Sequence, residues 1–247
     1  MTERIDAALD AVDDERTVVR AEYQALGAFD RRVAELPTAT VSTGPALVVD
    51  PRPSGPSLER VKTAYAETVM SVPHYESAYG DTLAESLAAE FGDDIAGALI
   101  GGSRLTPEFR DALRAATEAA RREREEFLDV LEREADSLAA LAGDVATVET
   151  AVDAATDCPL SDRSFDDLHD RWTSVRDLEA RVEGIALRRQ ETIRGQRTAL
   201  PGVPADLTEY LYADLSASYP ALASLADLAD RLERARREVE RALVSAA

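Results

Sequence analysis

The longest amphipathic run in the sequence decides the fold: LTPEFRDALRAATEAARREREEFLDVLEREADSLAALAGDVATVETAVDAAT, residues 105–156. Thr106 at a capping position, followed at once by Pro107, is a strong helix start. Apolar side chains then recur every three or four residues, as on one face of a helix. They are Phe109, Leu113, Ala116, Ala120, Phe127 and Val130, continued from Leu131 to Ala155 with a drift of one residue. This drift predicts a long helix with more than one neighbour, and Gly143 is where we expect a bend or a break.

Three further segments carry the same periodicity. One covers residues 2–36, one opens at a capping pair of Ser164 and Asp167, and one runs from Pro220 to the last residue. Helices of this length bury their apolar stripes only against one another. We therefore predict an all-α protein, an elongated antiparallel helical bundle with long coiled-coil-like helices, forming a single domain over residues 1–247.

The region 58–102 is interrupted by turn residues and predicts several short helices rather than one long one. Asp81 is the predicted cap of one of them, and Asp93 begins another. Residues 37–57, which precede this region, hold five of the eleven prolines. We interpret them as an extended arm or loop, since a two-stranded hairpin on its own is marginally stable.

Lysine is nearly absent from a strongly acidic chain. The sequence has 48 acidic and 28 basic residues, a net charge of −20, and Lys62 is its only lysine. At about 1 M salt the Debye length falls to about 3 Å, so acid–acid repulsion is screened and apolar burial is strengthened. We therefore expect a protein adapted to molar salt. A GC-rich genome would also favour arginine over lysine, but it does not explain the excess of acids.

Several classes of site find no support in the sequence. It has one cysteine, Cys158, and therefore no intrachain disulfide and no cysteine cluster for a metal. There is no phosphate-binding loop, dinucleotide motif or nucleophile elbow. The first residues are charged, and no stretch approaches the ~18 apolar residues of a membrane span. We expect a cytoplasmic chain with no membrane span, no cofactor, no metal and no catalytic residue.

The stretch MSVPHYESAYGDTLAESL, residues 70–87, gathers residue types that are rare elsewhere. Tyr75 and Tyr79 are four apart and share a face if the segment is helical. His74 could act as a base or a ligand, but His169, the only other histidine, lies far away in sequence. We interpret the stretch as a corner between helices whose aromatic rings fill a gap. A ligand or enzyme pocket at this corner is the alternative.

An arginine cluster, RRQETIRGQR, interrupts the acidic sequence at residues 188–197. Its four arginines are Arg188, Arg189, Arg194 and Arg197. We interpret them as internal charge balance for the neighbouring residues 206–230, which hold five acids and no base. The alternative is contact with nucleic-acid phosphate or an acidic partner, although molar salt removes most of the gain from phosphate contacts. The two short helices of 81–102 would suit a helix-turn-helix, but they offer no basic side chain before Arg104.

Two stretches of the sequence resemble a known protein family. ERVKTAYAETVMSVPHYESAYGDTLAESLAAEFG (residues 59–92), followed by LTPEFRDAL (residues 105–113), resembles a family of haloarchaeal proteins that carry a domain of unknown function across nearly the whole chain. The resemblance implies a haloarchaeal source and an α-helical cytoplasmic domain. It brings no activity, ligand or catalytic residue.

Together these observations favour a non-catalytic protein-interaction or scaffold module. Its partner is an unknown protein or a second copy, and we do not expect nucleic acid to be the partner. The first alternative is a nucleic-acid-associated regulator that uses the short helices and the arginine cluster. The second alternative is an enzyme with a pocket at the corner of His74, Tyr75 and Tyr79.

Overall fold

Most of the described part of the protein is helical. The computed structural model describes residues 2–39, 58–156, 160, 163–197 and 206–246. These ranges contain no β-strand, which confirms the all-α prediction. The helices are α1 (Glu3–Glu35), α2 (Leu58–Ala66), α3 (Tyr75–Ala78), α4 (Leu83–Phe91), α5 (Asp93–Gly101), α6 (Pro107–Thr156), α7 (Phe165–Arg197), α8 (Leu207–Leu211) and α9 (Pro220–Ala246). A 3₁₀ turn at Val69–Ser71 lies between α2 and α3.

Side-chain caps set where several helices begin. The Phe109 amide donates to Thr106 Oγ1 at 3.2 Å, so α6 begins where the sequence indicates. The Asp167 amide likewise donates to Ser164 Oγ at 3.2 Å, at the start of α7. Helix α6 continues through Gly143 without a break. Its continuity shows that one glycine, which costs about 1 kcal/mol relative to alanine, is outweighed by the packed stripe around it.

The cap of α4 differs from the predicted one. Thr82, not Asp81, has the extended backbone of a capping residue, with φ −67° and ψ 160°. The Glu85 amide donates to Thr82 Oγ1 at 3.4 Å, and the Thr82 amide donates to Glu85 Oε2 at 2.9 Å. This reciprocal capping box requires a glutamate three residues after the cap, and only Thr82 has one at that spacing.

The chain divides into two compact units. The first unit comprises Met1–Glu15 and Val130–Ala247, and the second unit comprises Arg16–Asp129. In the first unit α7 is antiparallel to α9, because Trp172 pairs with Glu240 and Glu179 pairs with Arg236 further along. Its core is formed by leucine and valine side chains of α6, α7 and α9, including Leu138, Val145, Val148, Val175, Val182, Leu228 and Leu232.

The second unit packs its short helices against parts of α1 and α6. These two helices are antiparallel here, because Asp30 pairs with Arg114 and Glu22 pairs with Arg124. The core contains a triad of rings with centroids 5.3 to 5.9 Å apart, formed by Phe29, Tyr65 and Phe91. Buried leucine and valine side chains complete the core around the triad, including Leu26, Val33, Val61, Leu87, Leu99, Leu105 and Leu113.

Two predictions concern residues that the structure does not describe. The arm at 37–57 lies outside the described residues from residue 40 onward, and so does Cys158. The prediction of a single domain stays a prediction, and each compact unit is described by itself.

Candidate functional site

The corner predicted from the tyrosines lies in the second unit. A turn at Pro73 and His74 leads into α3, which begins at Tyr75. The rings of Tyr75 and Tyr79 lie with their centroids 5.6 Å apart, as the spacing of four residues predicts. Tyr75 is buried, whereas Tyr79 is about half exposed. The aromatic side chains therefore connect the interior of the unit to its surface.

Glu22, on α1, joins the residues of this corner. Its Oε1 accepts a hydrogen bond from the Tyr79 hydroxyl at 2.6 Å and lies 3.2 Å from His74 Nε2. Its other oxygen accepts from Arg124 Nε at 3.3 Å. Glu22 and His74 are both mostly buried, with side-chain exposures of 13% and 16%. One carboxylate thus fixes the ends of three side chains.

Arg124 also binds a second carboxylate, and this pairing leaves one oxygen without a partner. Its Nη2 donates to Glu90 Oε2 at 2.8 Å, while the buried Glu90 Oε1 accepts no hydrogen bond. Burial raises the pKa of the Glu90 carboxyl, although the charge and hydrogen bond of Arg124 oppose the rise. Burial also acts to lower the pKa of Arg124, but the charges of Glu90 and Glu22 outweigh it and raise the pKa overall.

These groups line a cavity of about 140 Å³ in the second unit. Tyr65 lines it as well, and its hydroxyl lies 2.9 Å from Ser86 Oγ. Burial raises the pKa of Tyr65, and the hydrogen bond with Ser86 offsets part of this rise. The buried hydroxyl of Tyr75, by contrast, has no hydrogen-bond partner. Sequence reasoning found Tyr75 and Tyr79 of this cavity but missed Glu22, Glu90 and Arg124.

The arginine cluster is divided between the surface and the interior of the first unit. Arg188 is 64% exposed, and its Nη2 donates to Asp144 Oδ2 at 2.8 Å. Arg189 is buried with 2% of its side chain exposed. Arg194 is exposed, and Arg197 ends α7 with a side chain outside the described residues. The sequence neighbours are therefore not one continuous arginine patch.

Arg189 forms a buried ion pair with Glu134, which is fully buried. The guanidinium donates to both carboxylate oxygens, at 2.9 and 2.5 Å. Gln196 Nε2 and the Tyr212 hydroxyl donate to the same carboxylate, at 2.7 and 2.5 Å. Burial raises the pKa of Tyr212, and the charge of Glu134 adds to this rise. Arg188 and Arg189 therefore pair with acids of α6, and not with the acids at 206–230 that the sequence suggested.

An aromatic stripe, which we call the α7 stripe, covers one face of α7 and consists of Phe165, His169, Trp172 and Arg176. The Phe165 and His169 rings are stacked at 6.4 Å, the His169 and Trp172 rings at 6.1 Å, and the Arg176 guanidinium lies 5.9 Å from the Trp172 ring. Phe165 is 53% exposed. Sequence reasoning missed the stripe, although a spacing of four, three and four residues was its signal.

The family of the chain follows from comparison with known proteins. A family model described as a domain of unknown function (DUF7260) matches residues 3–236. The chain belongs to this family. No curated protein and no solved structure matches the sequence. The DUF7260 domain covers nearly the whole chain, and therefore includes the corner, the arginine cluster and the α7 stripe.

The described part of this DUF7260 chain contains neither a candidate metal cluster nor a candidate membrane span. No three His, Cys, Asp or Glu side chains in it are grouped so that they could hold a metal ion. None of the helices in the described ranges is long and apolar enough to cross a membrane.

Proposed function

We propose that this DUF7260 chain is a non-catalytic scaffold module that self-associates through the α7 stripe in the salt-rich cytoplasm of a haloarchaeon. The composition supports this setting, because 48 acids, 28 bases and one lysine are suited to molar salt. The observation that carries the proposal is the stripe itself. Aromatic and arginine side chains on an exposed helix face are the residue types that dominate binding energy at protein interfaces.

A second copy fits the stripe because the stripe is complementary to itself. An antiparallel pair of α7 helices places Phe165 opposite the partner's Arg176 and His169 opposite the partner's Trp172. The first contact is a cation–π pair, and the second is an aromatic pair. Such a pairing is the two-fold contact typical of homodimers.

The salt dependence of this association distinguishes it from binding to nucleic acid. Two chains of charge −20 repel each other in dilute buffer, and high salt both screens that repulsion and strengthens apolar contacts. Association through aromatic rings therefore increases with KCl concentration. Binding to nucleic acid has the opposite dependence, because phosphate contacts weaken as salt rises.

Sedimentation equilibrium at several KCl concentrations between about 1 and about 4 M tests the proposal. We expect a monomer–dimer equilibrium that tightens with KCl, and a dissociation constant at least about tenfold higher in Phe165→Ser. Leu187→Ser is the matched control. Leu187 is 54% exposed on the same helix, and 22 residues separate it from Phe165, about 33 Å along the axis.

Two results would contradict the proposal. One is a chain that remains monomeric at every salt and protein concentration tested. The other is equal weakening by both substitutions, since the contact would then not involve the α7 stripe.

The nucleic-acid regulator has less support. Arg189 is buried, and Arg188 already pairs with Asp144. At the short helices, α5 begins with exposed Asp93 and Asp94, which repel phosphate. The salt series also separates this alternative from self-association, because a complex with DNA would dissociate as KCl increases.

An enzyme at the corner is the second candidate, favoured by one observation. Glu90 lines the cavity, and burial raises the pKa of its carboxyl, which is the direction that a general acid requires. The other carboxylate close to it is already engaged, since Glu22 binds His74, Tyr79 and Arg124. The geometry is therefore better suited to holding a small molecule than to transforming one.

A further inference from the structure

The cavity of the second unit contains unsatisfied polar groups. The hydroxyl of Tyr75 and Oε1 of Glu90 are buried without a hydrogen-bond partner, and both residues line the cavity. Only 7% of Tyr75 is exposed. Buried polar atoms without partners are uncommon in folded proteins because leaving them unpaired costs free energy. A molecule in the cavity would supply the missing partners.

The charges that line the cavity favour a cation. Three carboxylate residues contribute to its wall, namely Glu22, Asp81 and Glu90, against one basic residue, Arg124. Arg124 is already shared between Glu22 and Glu90, so its charge is not available to an anion.

The remaining wall is aromatic and aliphatic, which favours an organic cation over a metal ion. The rings of Tyr65, Tyr75 and Tyr79 line it together with Leu26 and Val69. Ring faces attract ammonium groups, and the aliphatic side chains pack against an alkyl chain. A metal ion would need several oxygen ligands instead, and the described residues hold no such cluster.

We propose that this cavity binds a protonated alkylamine of about five or six non-hydrogen atoms. The size follows from the volume of about 140 Å³, since a protein cavity of about 150 Å³ holds one benzene molecule. The N–H groups of the amine donate to Glu90 and Tyr75. A quaternary ammonium ion has no N–H group to donate, and a neutral alcohol of equal size has no charge, so both bind more weakly.

A titration of the full chain with n-butylammonium chloride, followed by amide NMR shifts in about 2 M NaCl, tests this site. We expect saturable shifts confined to residues around Glu22, Tyr75 and Glu90. Tetramethylammonium and 1-butanol are the comparison ligands, and we expect both to bind at least about fivefold more weakly. Equal binding of either one, or no saturable shift with n-butylammonium, would overturn the proposal.

Substitutions distinguish a loss of binding from a loss of stability. Glu90→Gln keeps an oxygen acceptor but removes the charge, so we expect binding to weaken about tenfold, whereas Glu67→Gln, outside the cavity, leaves it unchanged. Tyr75→Phe removes a hydroxyl that has no partner in the unliganded chain. We expect binding to weaken about threefold with no loss of thermal stability.

Tyr23→Phe is the matched control for Tyr75→Phe, because Tyr23 lies in the same unit but does not line the cavity. Unchanged affinity in both Glu90→Gln and Tyr75→Phe would overturn the assignment. The site is in the second unit and does not depend on the α7 stripe.

Discussion

The buried ion pair in the first unit gives the sharpest prediction about stability. Replacing Arg189 by methionine leaves the carboxylate of Glu134, which is 0% exposed, without its counter-charge. Removing one member of a buried pair costs about 3 to 5 kcal/mol, because the remaining charge stays desolvated. We expect Arg189→Met to lower the free energy of unfolding by about that amount, and Glu134→Leu to do the same.

The double variant distinguishes a paired charge from ordinary packing. With both charges replaced by apolar groups, the desolvation cost is gone. The hydroxyl of Tyr212 and the amide of Gln196 then lose a partner, at about 1 to 3 kcal/mol each, and the part-buried hydroxyl of Ser137 loses its contact with Arg189. We therefore expect Glu134→Leu with Arg189→Met to cost clearly less than the sum of the single variants. The coupling free energy should be at least about 2 kcal/mol.

Urea unfolding followed by helical circular dichroism at constant molar KCl measures these free energies, since urea leaves the ionic strength unchanged. The neighbouring Arg188→Met is the control. Its side chain is 64% exposed and pairs at the surface, so its loss should cost at most about 1 kcal/mol. If Arg189→Met costs no more than Arg188→Met, or if the double variant is additive, the reasoning about the buried pair is refuted.

Three further predictions concern the cap of α4, the end of α5 and salt. Thr82→Ala should cost about 1 kcal/mol in urea unfolding, and Asp81→Ala clearly less; NMR titration should show the lowered pKa of Glu85 returning towards its usual value in Thr82→Ala. A carboxyl whose pKa is lower in the folded chain than in the unfolded chain stabilises the fold at pH values above the unfolded pKa. The stabilisation that Glu85 provides is therefore lost as the pH falls through its pKa in the folded chain. Gly102→Ala should lower the free energy of unfolding by about 1 to 3 kcal/mol, since the new Cβ would lie 2.5 Å from the Ala98 carbonyl oxygen. Gly101→Ala is the control and should be tolerated, because its Cβ would meet no atom within 4 Å. Circular dichroism should show helicity decreasing below roughly 1 M KCl, and an unchanged spectrum in dilute buffer would contradict the salt-adaptation argument.

The helices could be predicted from the sequence because their determinants are local. Apolar residues at helical spacing and capping residues such as Thr106 and Ser164 lie within a few positions of the boundaries that they set. The prediction of Asp81 as the cap of α4 was wrong, because Thr82 is the cap. The glutamate at Glu85 carried the deciding signal, because it stands at capping-box spacing from Thr82 alone.

The partners of the buried charges could not be predicted from the sequence. Arg124, Glu134 and Arg189 stand at positions where an apolar stripe would continue, seen most clearly at Arg189, between Ile185 and Ile193. A charge on an apolar stripe indicates a buried, paired group. Its partner lies on another helix, as far as 102 residues away for Arg124 and Glu22. Periodicity places a residue on a face, but it does not say which residue of another helix meets it.

The corner illustrates the same limit. Spacing predicted that Tyr75 and Tyr79 share a face, and their rings do lie side by side. The cavity beside them depends on side chains from α1, α4 and α6, which only the tertiary packing brings together. Composition marked the segment as unusual, but it did not identify Glu22 or Glu90 as part of the site.

Fluorescence of Trp172, the one tryptophan of the sequence, tests most directly whether a second copy covers the α7 stripe. The emission would be recorded during dilution from about 1 mM to about 1 µM at constant molar KCl. In the wild type and in Leu187→Ser, we predict that the emission maximum shifts to longer wavelength as dilution exposes the indole to water. The midpoint of this shift should agree with the dissociation constant from sedimentation. In Phe165→Ser the midpoint should move to at least about tenfold higher concentration. An emission maximum that stays constant throughout the dilution of the wild type would contradict self-association through this surface.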